Sequence, residues 1–256
     1  MDIQHITPIY FSATGSTKKI TTFVSQHLKG VPNEAIDITC GPTERLFPET
    51  DLVVLGIPVY SGRVAPLIAE HLKGLQGQNT PAVILAVYGN RDYDDALLEL
   101  KNVMRSQGFS VCAAIAAVAE HSIVHSVAKG RPHQEDFEIL EGHCLAITKK
   151  IECNDHHWLD VIVEGKIPYR TYNRVPFHPH TTQRCKLCGV CATSCPAGAI
   201  PLDAPNKTIA ETCISCMRCI AVCPSKARTL TFLERTLASI SLHKKCKEEK
   251  FTELFL

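Results

Sequence analysis

The sequence predicts an α/β protein in which a doubly wound parallel sheet precedes a small cysteine-rich domain. Apolar runs that suit strands buried on both faces alternate with amphipathic helical segments over roughly the first 150 residues. Eight of the 13 cysteines then fall into two short motifs. With 256 residues, 45% of them apolar, the chain has room for one large domain and one small domain.

Each element of the first domain, residues 1–153, follows from this alternation. The predicted strands are short apolar runs, and the last of them is rich enough in alanine to suit a helix as well: HITPIYFS (5–12), EAIDIT (34–39), DLVVLGIPVY (51–60), TPAVILAVYGN (80–90) and FSVCAAIAAVAE (109–120). The predicted helices have apolar residues at helical spacing: 17–29, 65–75, 94–108 and 133–152.

The composition changes after about Cys153. Residues 154–182 contain three prolines and little periodicity, so we predict a linker. Residues 183–230 contain the cysteine motifs, and residues 231–256 are predicted to form a C-terminal helix that packs back on the body. Cations in and after the linker suit either a docking surface for an acidic partner or, as we favour, a solvated segment: Lys166, Arg170, Arg174, Arg184 and Lys186.

Charge and hydropathy exclude several functional classes. The formal net charge is +1 without a strongly basic tract, which argues against nucleic acid as a partner. The longest apolar stretches are too short to span a bilayer, and the N-terminal residues do not resemble a signal peptide. Many cysteines without an export signal favour a reducing, cytoplasmic setting with metal ligation over disulfides.

Two cysteine motifs, CKLCGVCATSCP (185–196) and CISCMRCIAVCP (213–224), repeat at an offset of 28 residues. Each has the spacing C-x₂-C-x₂-C-x₃-C-P, a known iron–sulfur pattern in which the fourth cysteine ligates the other cluster. We therefore predict two [4Fe–4S] clusters. The predicted ligands are Cys185, Cys188, Cys191 and Cys223 for one cluster, and Cys213, Cys216, Cys219 and Cys195 for the other. Zinc sites, the alternative, use separated cysteine pairs. Residues 183–230 resemble a bacterial two-cluster ferredoxin.

The segment FSATGSTKK (11–19) joins the first strand to the first helix. It has neither the nucleoside-triphosphate loop spacing nor the dinucleotide fingerprint. Hydroxyls surround a single glycine, and the start of a helix presents free backbone N–H groups, so the segment suits a phosphate monoester. An ordinary capped turn is the alternative. The residues concerned are Ser12, Thr14, Gly15, Ser16 and Thr17.

Loops that follow three neighbouring strands should meet at one edge of the sheet, where strand order reverses. The second and third loops are PVYSGRVAP (58–66) and YGNRDYDDA (88–96). SATGST (12–17) resembles the phosphate loop of the flavodoxin superfamily, although Ser16 stands where many flavodoxins have asparagine. With the cysteine motifs, the whole chain resembles a family of flavodoxin–ferredoxin fusion proteins found mainly in anaerobes.

That resemblance implies that one FMN binds through its phosphate at residues 12–17. It also implies stacking of the flavin on Tyr60 and Tyr93. Further flavin contacts are implied in the same two loops, at Pro58, Gly62, Gly89 and Asn90.

The predicted function is electron transfer between FMN, the two clusters and an external redox partner, either a protein or a small-molecule acceptor. No catalytic residue is assigned, and an FMN-dependent reductase is a related alternative. A different alternative is a non-catalytic redox-sensing or docking module whose flavodoxin-like domain lacks flavin.

Overall fold

A computed structural model describes residues 3–153 and 161–256 of the chain, so part of the predicted linker lies outside the described residues. The strands are β1 (His5–Tyr10), β2 (Val31–Pro32), β3 (Ile36–Asp37), β4 (Arg45–Phe47), β5 (Asp51–Pro58), β6 (Leu75–Gly77), β7 (Thr80–Tyr88), β8 (Phe109–Val118), β9 (His180–Thr181), β10 (Arg228–Thr229) and β11 (Glu253–Phe255). The helices are α1 (Ser16–His27), α2 (Pro66–Leu72), α3 (Ala96–Ser106), α4 (Gln134–Cys153), α5 (Val190–Thr193), α6 (Arg218–Ala221) and α7 (Phe232–Lys245).

The main sheet has the strand order β11-β8-β7-β5-β1-β2, and β3 also pairs with β1. All of its pairs are parallel except that of β11 with β8. Because β2 and β3 lie at the same edge, the parallel strands follow the order 2-1-3-4-5 of a flavodoxin-like sheet. The predicted doubly wound α/β fold is confirmed, and strand order reverses between β1 and β5.

Helices cover both faces of this sheet, which explains why its strands are continuously apolar. All nine residues of β7 are buried. On one face the core joins Leu97 and Leu100 of α3 to alternate strand residues such as Ile84. On the other face, Val24 of α1 and Leu140 of α4 pack against the intervening residues. Burial on both faces favours runs of Val, Ile, Leu and Ala over an alternating pattern.

The small domain contains β9, β10, α5 and α6, and each cysteine motif contains one of the two short helices, with its fourth cysteine just after the helix. The antiparallel pair aligns Arg228 with Thr181. Residues in the left-handed conformation start the helices, Gly189 before α5 and Met217 before α6. This domain lies against the carboxyl ends of the parallel strands, where Arg218 Nη1 donates to the Ser12 carbonyl oxygen at 3.1 Å.

The C-terminal segment differs from the single helix predicted for it. Helix α7 begins at a capping box formed by Thr231 and Glu234 and ends at Lys245. The chain then crosses the loop after β7, where the Asn90 side chain donates to the Glu248 carbonyl and accepts from Lys250 N–H, both at 2.9 Å. Finally β11 pairs with β8. The prediction of a helix through residue 255 was wrong because the open edge of β8 offers hydrogen bonds that outweigh local helical pattern.

Further polar contacts hold this tail. Arg131 forms a buried ion pair with Asp136, and its Nη1 donates to the Lys250 carbonyl at 2.6 Å. Tyr93 donates its hydroxyl to Glu253 at 2.9 Å. The tail therefore ties the end of α7 to the large sheet.

The described part of the linker also lies against the first domain. The Asp95 carboxylate accepts the backbone N–H groups of Lys166 and Arg170, at 2.9 and 2.7 Å. The Arg170 side chain pairs with Asp94 at 2.5 Å. The backbone of this segment is therefore bound to the first domain, while Lys166 and Arg170 are themselves exposed.

Close packing of α1 on β5 predicts opposite effects for two Gly→Ala substitutions. A Cβ atom at Gly56 would lie 1.8 Å from Thr21 Oγ1 of α1, whereas one at Gly142 of α4 meets nothing within 4 Å. We expect Gly56→Ala to lower the free energy of unfolding by about 1–3 kcal/mol through overpacking. Gly142→Ala should raise it by about 0.5–1 kcal/mol, because alanine favours the helix. Anaerobic urea unfolding followed by circular dichroism measures both, and equal stability of Gly56→Ala and wild type would contradict this packing.

Candidate redox site

Cysteines from both motifs line each of two small cavities in the small domain. One cavity is lined by Cys185, Cys188, Cys191 and Cys223. The other is lined by Cys195, Cys213, Cys216 and Cys219. We call them the outer and the inner cysteine cavity, respectively. In each cavity, three cysteines of one motif meet the last cysteine of the other, which is the grouping that the spacing predicts.

Backbone N–H groups point at cysteine sulfurs in the same way in both repeats. Ala199 N–H donates to Cys195 Sγ at 3.3 Å, and Ala227 N–H donates to Cys223 Sγ at 3.2 Å. Ser215 N–H adds a bond of 3.4 Å to Cys213 Sγ. Hydrogen bonds to ligand sulfurs stabilise the thiolate and tune the potential of an iron–sulfur cluster.

The protonation state of these thiols depends on whether a metal is bound. Burial raises the pKa of the Cys216 and Cys219 thiols to about 12, so both are protonated at neutral pH without a cation. For Cys223, burial raises the pKa, but hydrogen bonds from Ser225 and nearby backbone N–H groups bring it below the ordinary value. A bound metal deprotonates a coordinating thiol outright.

Each cavity offers four thiols to a metal cluster. Among residues 3–153 and 161–256, no three His, Cys, Asp or Glu side chains are close enough to hold a single metal ion. A [4Fe–4S] cube instead takes one thiolate on each iron. Four cysteines around a small cavity, with N–H donors to sulfur, therefore fit a cube in both places.

The loop between β1 and α1 presents a run of unbonded backbone N–H groups. Within the described part of the chain, the N–H groups of residues 13–17 have no hydrogen-bond acceptor. Gly15, at φ 102°, turns the chain into α1. Such a turn at a helix N-terminus suits an anion. Among the side chains, Ser12 Oγ accepts Lys18 N–H at 3.0 Å, which leaves its O–H free to donate, and Thr17 is buried.

A cavity of about 400 Å³ opens at the carboxyl edge of the sheet, between the two domains. We call it the interdomain cavity. Of the predicted flavin contacts only Tyr60 lines it, and residues 12–17 do not. Its walls come from the loop after β5, the loop after β8, the linker, the small domain and α7: Val59, Tyr60, Ser61, His121, Ser122, Ile123, Val124, Tyr172, Val175, Pro176, Phe177, Ile214, Ser215, Ala238, Ser241, Leu242 and Lys245.

Two tyrosines occupy the wall of the interdomain cavity nearest to Cys216. Burial raises the pKa of Tyr60 and of Tyr172, and the Cys216 thiol adds to both shifts. Neither hydroxyl has a hydrogen-bond partner among the described residues, so both can donate to a ligand. Tyr60 is held by a tight turn with positive φ at Ser61 and Gly62, as in a type I′ turn.

The predicted contacts in the loop after β7 have other roles in this structure. Tyr93 and Asn90 bond the C-terminal tail, as described above. A Cβ atom at Gly89 would lie 2.5 Å from His121 Cδ2, so this glycine leaves room for the histidine ring. At Gly62, a Cβ atom would lie 2.0 Å from Asp94 Oδ2. Pro58 ends β5 and pairs with Val87. Contact of these residues with flavin stays a prediction.

His121 is a cavity residue that the sequence did not reveal as part of a site. Its Nδ1 accepts the N–H groups of Ile123 and Val124 at 3.1 and 3.2 Å, which places the proton on Nε2. Burial, with smaller contributions from His125 and Arg91, lowers its pKa to about 4. His121 is therefore a neutral hydrogen-bond donor at physiological pH.

The family model for a 4Fe-4S dicluster domain matches residues 184–227. An iron–sulfur domain at this position is thereby shown. The chain is also similar to a crystal structure of a "putative flavoprotein" from Bacteroides uniformis, at 13% sequence identity and a TM-score of 0.35, over 59% of this chain and 99% of that one. A comparison with curated proteins found no match. No helix among the described residues is long and apolar enough to cross a membrane.

Crossed grouping of the cysteines predicts which cluster each substitution damages. Cys195→Ser should disturb the cluster of the inner cavity, and Cys223→Ser the cluster of the outer cavity. Each variant should lose about four of roughly eight irons, and electron paramagnetic resonance of the reduced protein should show different surviving signals. Cys153→Ser, at an exposed cysteine of α4, is the control and should retain all iron. Identical surviving signals in the two variants would contradict the grouping.

Burial of neutral His121 predicts a loss of stability in mild acid. In the unfolded chain this imidazole takes up a proton below about pH 6.5, whereas in the folded protein it does so only near pH 4. The free energy of unfolding should therefore fall between these values, by at most about 3 kcal/mol for this residue. In His121→Asn, the amide oxygen can accept the same two N–H groups. The free energy of unfolding of this variant should therefore depend less on pH. Urea unfolding between about pH 6.5 and pH 4 measures this pH dependence. The control His27→Asn, at an exposed histidine, should behave like wild type.

Proposed function

We propose that the protein carries electrons between an FMN at the carboxyl edge of the sheet and two [4Fe–4S] clusters in the iron–sulfur domain, and onward to an external redox partner. One observation supports this most directly. Ile214 lines both the interdomain cavity and the inner cysteine cavity. A group bound in the first cavity would therefore be separated from a cluster in the second by a single side chain.

The interdomain cavity and the inner cysteine cavity meet at Ile214, and the residues that line them fit the two cofactors. When bound, FMN exchanges electrons singly or in pairs, and each cluster exchanges one at a time. The free N–H groups of residues 13–17 would hold the phosphate, and Tyr60 with Tyr172 would flank the flavin in the interdomain cavity. Their neutral hydroxyls, together with Nε2–H of His121, would donate hydrogen bonds at the flavin edge.

Arg218 connects the loop after β1, which is proposed to bind the FMN phosphate, to the inner cysteine cavity, which is proposed to bind a cluster. Its Nε donates to the Ser194 carbonyl at 3.0 Å, and its Nη1 donates to the Ser12 carbonyl at 3.1 Å. It also lies between Cys216 and Cys219 in sequence. This side chain would hold the loop after β1 at a constant distance from the inner cavity.

A second candidate function is a flavin-free docking or redox-sensing module. Two observations favour it: Asn90 and Tyr93 are occupied by the C-terminal tail, and residues 12–17 do not line the interdomain cavity. An FMN-dependent reductase of a small acceptor is a variant of the first proposal, with the same cavity open to a substrate. Flavin binding separates the first proposal from the docking module.

Removing one hydroxyl from the loop should weaken binding of FMN but not of riboflavin. Thr14 is exposed beside the free N–H groups, so its hydroxyl can reach a phosphate. A hydrogen bond to a charged group contributes about 1.5–3 kcal/mol, which predicts a roughly ten- to hundredfold higher Kd for FMN in Thr14→Ala. Riboflavin, which lacks the phosphate, should bind equally to wild type and variant. Anaerobic fluorescence titration of the flavin-free protein measures both.

Thr22→Ala serves as the matched control, because Thr22 lies further along α1 and its hydroxyl has no hydrogen-bond partner among the described residues. It should bind FMN like wild type. Equal losses for FMN and riboflavin in Thr14→Ala would mean that the loop is only structural. Failure of cluster-loaded wild type to bind FMN would favour the docking module.

A further inference from the structure

We propose that the exposed side of the outer cysteine cavity docks an acidic protein that carries one electron at a time. The inference rests on the proposed function, in that it takes the outer cavity to hold a cluster. To the proposed function it adds that electrons enter at the outer cysteine cavity and that the partner is an acidic protein.

The two cysteine cavities differ in their access from solvent. Cys188, in the wall of the outer cavity, is exposed, and its neighbour Leu187 is 60% exposed. In the inner cavity, Cys216 is 8% exposed and belongs to the core of the large domain. Electron transfer between proteins requires close approach of the two redox centres. An approaching protein can contact the outer cavity, while the first domain covers the inner one.

The surface around the outer cavity contains more cations than anions. Residues 183–230 include six Lys and Arg side chains but only two acids, Asp203 and Glu211. Two of the cations, Arg218 and Arg228, point inward to backbone carbonyls. The remaining four are exposed, and none pairs with a carboxylate among the described residues: Arg184, Lys186, Lys207 and Lys226.

Two of these four side chains, Lys186 and Lys226, lie at the outer cavity. Lys186 lines it directly, and Lys226 lies between two other lining residues, Ser225 and Ala227. A [4Fe–4S] cluster with four thiolates is itself net negative and would repel an acidic protein. Cations at the rim reverse the sign of the potential that such a protein meets first.

Two cations of the linker have partners away from the outer cavity. Arg170 pairs with Asp94 at 2.5 Å, and the Arg174 side chain donates to the Glu211 carbonyl. Of the five cations noted in the sequence, Arg170 and Arg174 thus have side-chain partners, whereas Arg184 and Lys186 are exposed and pair with no carboxylate among the described residues. Leu187 and Val190, exposed between the cations, provide the apolar centre that a protein interface needs.

The test uses an acidic two-[4Fe–4S] ferredoxin as the probe and cluster-loaded full-length protein. Lys186→Glu should raise the Kd for the oxidised probe roughly tenfold at low salt, and slow cluster reduction by the reduced probe by a similar factor. Lys149→Glu, at an exposed lysine of α4, changes the net charge equally and should alter both values less than about twofold. Added salt should weaken binding to wild type more than binding to Lys186→Glu.

Two further measurements separate the possible failures. Iron analysis and reduction by the neutral photoreductant deazariboflavin show whether each protein holds reducible clusters. Absence of reducible clusters in the wild-type protein would count against the proposed function. Loaded clusters with no difference between Lys186→Glu and Lys149→Glu would overturn the docking inference. Tighter binding to vesicles of anionic lipid than to the probe, with the same dependence on Lys186, would overturn it in favour of a membrane partner.

Discussion

The contact between residues 214–218 and the carboxyl ends of β1 and β5 fixes the distance between the two candidate cofactor regions. On one side are Ile214 and Arg218 of the iron–sulfur domain, and on the other are Tyr60 and the loop that begins at Ser12. The proposed electron transfer depends steeply on distance, so it requires this contact to persist in every molecule. A short flexible connection between two independent domains would not maintain it.

Two segments hold the iron–sulfur domain in place, one before it and one after it. The linker is bound by Asp95 and Asp94, and the tail by Asn90, Arg131 and the edge of β8. Both attachments consist largely of hydrogen bonds and ion pairs, several of them buried, and such bonds specify geometry more than they add stability. The loops that a simple flavodoxin-like domain would leave for its ligand here serve in part as anchors. This shared use explains why Tyr93 lies under the tail.

The elements best predicted from sequence were those whose signal is local. Cysteine spacing identified the iron–sulfur domain, which the family match confirms, and continuous apolar runs gave the strands, because burial on both faces determines composition directly. Residues assembled by long-range contacts were not predictable. His121, Tyr172 and Lys245 come from three distant segments and share no spacing. The end of α7 was misplaced for the same reason, since a helical pattern says nothing about a free strand edge elsewhere.

The pairing of β11 with β8 joins segments on opposite sides of the iron–sulfur domain, with Glu253 aligned to Ala116. During translation the large sheet can form as soon as β8 has emerged, but its edge then stays open until the ribosome has made both cysteine motifs. In that interval the nascent chain exposes an apolar strand edge, which is a site for aggregation.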